Sequence, residues 1–323
     1  MNSQRSGRRG AAATFPARLP RGRTVAVRGA DGTRLHTRVF GPAGGYPIVL
    51  AHGFTCAIKV WGHQIADLTG DYRVIAYDHR GHGRSGVPGR DGYSLDHLAS
   101  DLDAVLEATL MPGERAVIAG HSMGGIAISA WSERYQHRVA QRADAVALIN
   151  TTTGDLLHHV DLFRMPPPLR GVRVRAARQM LLTFGTTPVV GPVTAAVRQF
   201  VAMLAVGREA DPSVTSLIYE LFTSTPAAGR GHWVRVLVDG LGPDHISLHG
   251  LTVPTLVIGS TRDRLLPIVA SHRIASAAPN LAKFVELRGG HCSILEHPGM
   301  VNRELRDLIE STVGIVSERE ISS

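Results

Sequence analysis

The stretch Ala116-Val117-Ile118-Ala119-Gly120-His121-Ser122-Met123-Gly124-Gly125 decides the reading of this chain. Its first four residues form a short apolar run, which predicts a buried strand, and the run ends in a G-x-S-x-G turn with Ser122 at its tip. A turn of this kind forces the serine backbone into a crowded conformation. The flanking glycines lack a Cβ, so strand and helix approach closely and leave the hydroxyl exposed. Ile126 to Tyr135 contain neither proline nor glycine and predict the helix that the motif requires. In a chain with 35 glycines such a pattern also arises in ordinary turns, so this strand–turn–helix setting carries the assignment.

Outward from the elbow, short apolar runs alternate with helical segments. Ile48 to Ala51, Val74 to Tyr77, Ala116 to Ala119, Ala145 to Ile149, Thr255 to Ile258 and Phe284 to Leu287 predict strands of a mostly parallel sheet covered on both faces. Ahead of them, Thr24 to Val27 and Arg34 to Phe40 flank Gly29-Ala30-Asp31-Gly32 and predict an antiparallel hairpin. Leu95, Leu98, Leu102, Val105 and Leu106 share one helical face behind Ser94, a good N-cap. Between Asn150 and Leu251 the alternation gives way to helical patterns broken by Pro166-Pro167-Pro168, Pro188, Pro192, Pro212 and Pro226. The expected organisation is therefore a disordered basic leader (1–23), a core (24–153 and 250–315), an inserted helical cap (154–249) and a C-terminal tail (316–323).

A chain of 323 residues with 44% hydrophobic content supports one large core with such an excursion. The net charge of +8 has much of its excess in the leader, at Arg5, Arg8, Arg9, Arg18, Arg21 and Arg23. The other basic residues are scattered without an aromatic-rich face, which argues against nucleic-acid binding. The residues after Arg8-Arg9 are too interrupted for an export signal, and the apolar stretch from Phe184 to Gly207 is broken by prolines, so a cytoplasmic protein is expected. Only Cys56 and Cys292 occur, which speaks against a disulfide scaffold.

A serine hydroxyl is a weak nucleophile at neutral pH and needs a base, itself oriented by an acid. Gly289-Gly290-His291-Cys292-Ser293 follows the last strand, and Gly259-Ser260-Thr261-Arg262-Asp263 follows the one before it. Ser122, Asp263 and His291 thus each stand just beyond a parallel strand, where sites of open parallel sheets form, and are the expected catalytic residues. The backbone N–H groups of Met123 and Phe54 are the expected oxyanion donors, with Gly53 in Ala51-His52-Gly53-Phe54-Thr55 letting the main chain come close. The side chains of Phe54, Thr55 and Met123 are expected to line the substrate pocket.

His52-Gly53-Phe54, Asp78-His79-Arg80-Gly81-His82-Gly83-Arg84-Ser85, Gly120 to Gly125, Asp263 with Pro267, and Gly290-His291 with Glu296-His297-Pro298 together resemble the α/β-hydrolase superfamily. The likeness spans roughly residues 25 to 312 and implies an eight-stranded, mostly parallel sheet with a cap inserted after the sixth strand. Trp61, Gln64 and the Asp78 to Ser85 segment are similar to the esterase, monoacylglycerol-lipase and cofactor-free haloperoxidase branch. In that branch the Asp78 to Ser85 turn is structural, which leaves His79 and His82 out of the site. Relatives that attack through an alkyl-enzyme carry aspartate where this chain has Ser122, so acyl transfer through an acyl-serine is implied, with no cofactor and no metal.

The expected substrate is a carboxylic ester with an aliphatic or lipid-like acyl group. Met180, Leu181, Leu182, Phe184, Val189, Val190, Phe200, Val201, Met203, Leu204, Leu217, Ile218, Leu221 and Phe222 are divided between packing the cap and lining an acyl pocket. Arg170, Arg173, Arg175 and Arg178 offer either a solvated helix face or a weak membrane-surface contact. Cys56 and Cys292 fall near the mouth of the site, where a disulfide is a further option. Perhydrolysis, thioester cleavage and carbon–carbon bond hydrolysis use the same triad, and a non-catalytic ligand-binding protein is the alternative outside enzymes. The oligomeric state is not readable.

Overall fold

A computed structural model of the chain describes residues 15–16, 18–160, 169–187 and 193–321. The leader arginines Arg5, Arg8 and Arg9, the Pro166-Pro167-Pro168 run, Pro188, Val189, Val190, Pro192 and the last two residues of the tail lie outside the described residues, as does the side chain of Arg170.

Eight strands form one sheet in the order β1-β2-β4-β3-β5-β6-β7-β8. The hairpin of β1 (Gly22–Arg28) and β2 (Arg34–Phe40) is antiparallel, and β2 also pairs antiparallel with β4 (Arg73–Tyr77). From β4 onward every pairing is parallel, through β3 (Pro47–Ala51), β5 (Ala116–His121), β6 (Ala143–Ile149), β7 (Thr255–Ser260) and β8 (Leu281–Leu287). The central strands are buried along their whole length because helices cover both faces, which is why they read as continuous apolar runs.

Successive strand residues point to opposite faces, and the core divides accordingly. Val49, Ala51, Ile118 and Leu148 pack on one side and Ile48, Leu50, Val117 and Ile149 on the other. Helix α1 (Gly62–Leu68) covers the second face, and α2 (Leu95–Thr109) and α3 (Met123–Arg134) the first. Ser94 caps α2 by accepting the His97 N–H at 3.1 Å. Helix α4 (Gln136–Arg142) leads into β6.

The cap lies between β6 and β7 as α5 (Leu156–His159), α6 (Arg170–Thr186), α7 (Val193–Ala205), α8 (Pro212–Ser224) and α9 (Ala227–Gly240). Its hub is Arg230, 2% exposed, whose guanidinium donates to the carbonyls of Gly185, Thr187, Phe222 and Thr225 and so gathers the ends of α6 and α8. Trp233 of α9, fully buried, donates to the Arg80 carbonyl at 2.8 Å and ties the cap to the core. Arg80 in turn is held by both oxygens of Asp101 at 2.6 Å and by Asp31.

After β7 the chain continues through α10 (Ile268–Ala277), β8, the short α11 (Ser293–Glu296) and α12 (Pro298–Ile321). Two expected boundaries differ. Strand β1 begins at Gly22, inside the segment drawn as leader, and Phe15 stacks edge-on against His63 at 5.1 Å, so apolar leader residues pack on α1. Helix α12 runs through the boundary at 315 to Ile321, since no proline or glycine follows Gly314 to stop it.

Candidate active site

Ser122 closes β5 and precedes α3 with φ 53° and ψ −117°, a conformation that costs a side-chain-bearing residue on the order of 1–3 kcal/mol. The surroundings hold it there. Its N–H donates to Ile149 O at 2.9 Å, and its carbonyl accepts from Thr151 Oγ1 at 2.7 Å and from the N–H groups of Gly125 and Ile126. A Cβ on Gly124 would stand 2.0 Å from Ala51 O, so only glycine lets α3 start this close to β3.

Asp263 and His291 come from the loops after β7 and β8. His291 Nδ1–H donates to Asp263 Oδ2 at 2.7 Å, and both residues are buried. Asp263 Oδ1 accepts the backbone N–H groups of Leu265 at 2.9 Å and Leu266 at 2.8 Å, which pins the carboxylate within its own turn. The amide of Asn150 adds a donor to Oδ2 at 3.2 Å. Glu296 braces the histidine loop: its Oε2 accepts Gly290 N at 2.8 Å and Gly207 N at 3.2 Å, and its Oε1 accepts Cys292 N at 3.2 Å. Cys292 N also donates to Ala205 O at 3.1 Å, so the end of α7 is stitched to the residues around His291. Ser122 and His291 line one cavity. Among the described hydrogen bonds none joins Ser122 Oγ to the imidazole, a contact that commonly tightens when substrate binds.

The loop carrying Phe54 meets the elbow directly. A Cβ on Gly53 would lie 3.1 Å from Ser122 Cβ and 3.0 Å from His121 Nδ1, so this main chain must be bare to approach. Three histidines frame the loop. His52 Nδ1–H donates to Gly53 O at 2.7 Å while its Nε2 accepts His79 N at 3.0 Å, and His79 Nε2–H donates to His52 O at 3.0 Å. His82 Nε2 accepts Thr55 N at 3.0 Å and its Nδ1–H donates to Arg80 O at 3.1 Å. Thr55 itself has φ 56°. Burial keeps these rings neutral: His52 lies well below its ordinary value, His79 is pushed down to about 3 and His82 to about 4. His121 falls to about 3 through burial and the adjacent His291, and its Nε2–H donates to His291 O at 2.9 Å. Asp78 holds the next turn by accepting Ile58 N at 2.7 Å and Arg84 N at 2.9 Å, and burial raises its carboxyl to about 6.

The cavity above Ser122 has a volume of about 110 Å³ and is walled by apolar cap side chains. Leu181, Phe184, Phe200, Val201, Leu204, Ile218 and Phe222 contribute, with Phe184 and Phe200 stacked at 3.9 Å. Phe54 and Thr55 line it as expected. The Met123 side chain does not: it is fully buried in the core beneath α3 and is not part of the cavity wall. Met180, Leu182 and Met203 pack against the apolar cluster of the cap and core, and Leu217 and Leu221 of α8 are buried within the cap. Cys56 and Cys292 are free and buried on the cavity wall; burial pushes the Cys56 thiol up to about 12 and Cys292 well above its ordinary value, which keeps both as unreactive apolar wall.

A family model described as alpha/beta hydrolase fold matches residues 46–298, most of the chain. The protein belongs to the alpha/beta hydrolase fold family. A curated relative of this alpha/beta hydrolase from Variovorax paradoxus, assigned the name carbamate hydrolase RutD, is 28% identical over 85% of this chain and 96% of its own. A non-heme chloroperoxidase of Streptomyces lividans is 36% identical across 38% of this chain and 44% of its own length. Among solved structures, the enol-lactonase of Burkholderia xenovorans is similar with a TM-score of 0.69 and 25% identity, covering 89% of this chain and all of that one. An esterase from Exiguobacterium antarcticum shares the fold with a TM-score of 0.70 at 17% identity over 89% of this chain and 100% of its own.

Three contributions to the site of this alpha/beta hydrolase escaped the sequence reading: Asn150 against Asp263, Glu296 beneath His291, and the histidine frame of the Phe54 loop. His79 and His82 line no part of the cavity and act through the backbone of that loop instead. Arg173 donates to His158 O at 3.0 Å, Arg175 to Gly171 O at 3.3 Å, and Arg178 pairs with Asp239 at 2.9 Å on the outer side of α6. Among the described residues no helix is long and apolar enough to cross a membrane, and no cluster of histidine, cysteine or acidic side chains is arranged to hold a metal ion.

Proposed function

We propose that this protein is a serine hydrolase of carboxylic esters whose acyl group is small and apolar. The observation that carries the reading is that the strained Ser122 and His291, the latter bonded to the buried Asp263 at 2.7 Å, face one apolar cavity. His291 takes the Ser122 proton as Oγ attacks the ester carbonyl, and the Phe54 and Met123 N–H groups receive the oxyanion. His291 then protonates the departing alcohol. Water, activated by the same imidazole, hydrolyses the acyl-serine and returns the enzyme.

The cavity volume supports a substrate class. A cavity of about 110 Å³ with apolar walls supports a short aliphatic acyl chain over a long one, which would need a continuous apolar tunnel. Among the described residues that line it there is no lysine, arginine, aspartate or glutamate, which fits a neutral acyl group.

The test is labelling by a fluorophosphonate together with hydrolysis of p-nitrophenyl butyrate. Wild-type protein is labelled and active, and Ser122→Ala loses both. An unreactive wild-type serine with bound apolar ligand would replace this reading with that of a binding protein. The relative named as a chloroperoxidase supports a second fate for the same acyl-serine, transfer to hydrogen peroxide to give a peracid, which halide oxidation in the same assay detects.

A further inference from the structure

Asn150 ends β6 and is fully buried, with φ 45°, in the left-handed region that asparagine tolerates better than most residues. Its N–H donates to Ile258 O of β7 at 2.8 Å, which fixes the backbone between the two strands whose loops meet at the site. The side chain bridges those loops. Nδ2 donates to Asp263 Oδ2 at 3.2 Å, and Oδ1 accepts from Ser293 Oγ at 2.5 Å, two residues beyond His291. The carboxylate only accepts, so it sets which end of the amide turns toward it.

Asp263 Oδ2 is the oxygen that also takes His291 Nδ1–H, while Oδ1 is occupied by the Leu265 and Leu266 N–H groups. We infer that Asn150 is a positioning residue for the Asp263–His291 pair: it holds Oδ2 on the Nδ1–H side of the imidazole and, through Ser293, fixes the loop that carries the ring. The role rests on the hydrolase reading, in which the neutral imidazole must present Nε2 to Ser122. Without the Asn150 amide, Oδ2 loses a donor, the carboxylate turns more freely about its own side chain, and the tautomer with Nδ1 protonated is held less firmly.

Asn150→Leu removes both side-chain bonds at similar volume, and Ser293→Ala removes the loop-side bond while leaving Asn150 in place. In 15N-histidine NMR spectra of the wild-type protein the buried His291 Nδ1–H, bonded to Asp263, is expected to exchange slowly with water. The expected result is faster exchange, about tenfold in Asn150→Leu and less in Ser293→Ala, with the other histidine signals unmoved. This readout requires no turnover, so it stands even if the ester assay fails. Where p-nitrophenyl butyrate is hydrolysed, Asn150→Leu lowers kcat about tenfold with KM within threefold, the scale of one hydrogen bond to a charged group. In an Asp263→Asn background the same substitution adds little, because both changes act through one carboxylate. Unchanged Nδ1–H exchange in both variants, or full additivity with Asp263→Asn, would overturn the assignment.

Discussion

Lowering the pH from 7 to 5 should unfold this protein by charging histidines that it buries neutral. A histidine with a depressed folded pKa binds its proton first in the unfolded chain. The stability it contributes is therefore present above about 6.5 and drains away as pH falls toward the folded value. His79 and His121 lie at about 3 and His82 at about 4, so each costs about 2 kcal/mol between pH 7 and 5. His52 adds in the same direction. Asp78 works oppositely: raised to about 6, it takes its proton in the folded state first and returns about 1 kcal/mol. The net loss for the groups with assigned values is about 4 to 5 kcal/mol, comparable with the whole stability of many domains. Urea unfolding followed by tryptophan fluorescence at half-unit pH steps measures it. The midpoint should fall steeply below pH 6.5 at constant slope, with unfolding at pH 5.5 taking up about two to three protons. His82→Gln should remove about one of them. A free energy that stays flat between pH 7 and 5 would refute the argument that these rings are buried neutral.

Across p-nitrophenyl esters, kcat/KM should climb about fifteenfold from acetate to butyrate, two methylenes at about 0.8 kcal/mol each, and fall beyond hexanoate as the cavity fills. Phe184→Ala should move that optimum to longer chains; a wild-type profile still rising at dodecanoate contradicts the short-acyl assignment. Asp101→Ala strands the buried Arg80 and should lower stability by about 3–5 kcal/mol in urea titration, whereas a loss under 1 kcal/mol would show that Asp31 suffices alone. Gly124→Ala places a methyl against Ala51 O, so it should cost about 1–3 kcal/mol and slow fluorophosphonate labelling; labelling at the wild-type rate would show that the elbow has slack.

What the chain order made legible was the set of features written locally. The central strands β3 to β7 coincide with continuous apolar runs, because strands covered on both faces need no alternation, whereas the antiparallel β1–β2 hairpin showed itself by the glycine turn between its two strands. The elbow showed itself through its glycines, and Asp263 and His291 through their place just past two such runs. Asn150 did not show itself, since its meaning depends on Asp263, 113 residues away, and Ser293, 143 residues away. The histidines of the Asp78 turn read as structural, and the backbone groups their rings hold, His52 O and Thr55 N, belong to a loop 27 residues earlier that no local pattern connects to them. The cap was legible as helices and not as a surface: which of Leu181, Leu182, Phe184 and Met203 faces the cavity follows from how α6 and α7 lean on each other, and no periodicity records that.

The stitching of α7 to the histidine loop has a mechanical consequence. Raising the cap at the Ala205–Gly207 edge would pull on the Cys292 and Glu296 bonds, and with them on the turn that aims the imidazole. Roof and base therefore travel together along that edge. Displacing the cap along that edge would therefore disturb the loop that holds His291, so access from this side and the position of the imidazole are coupled.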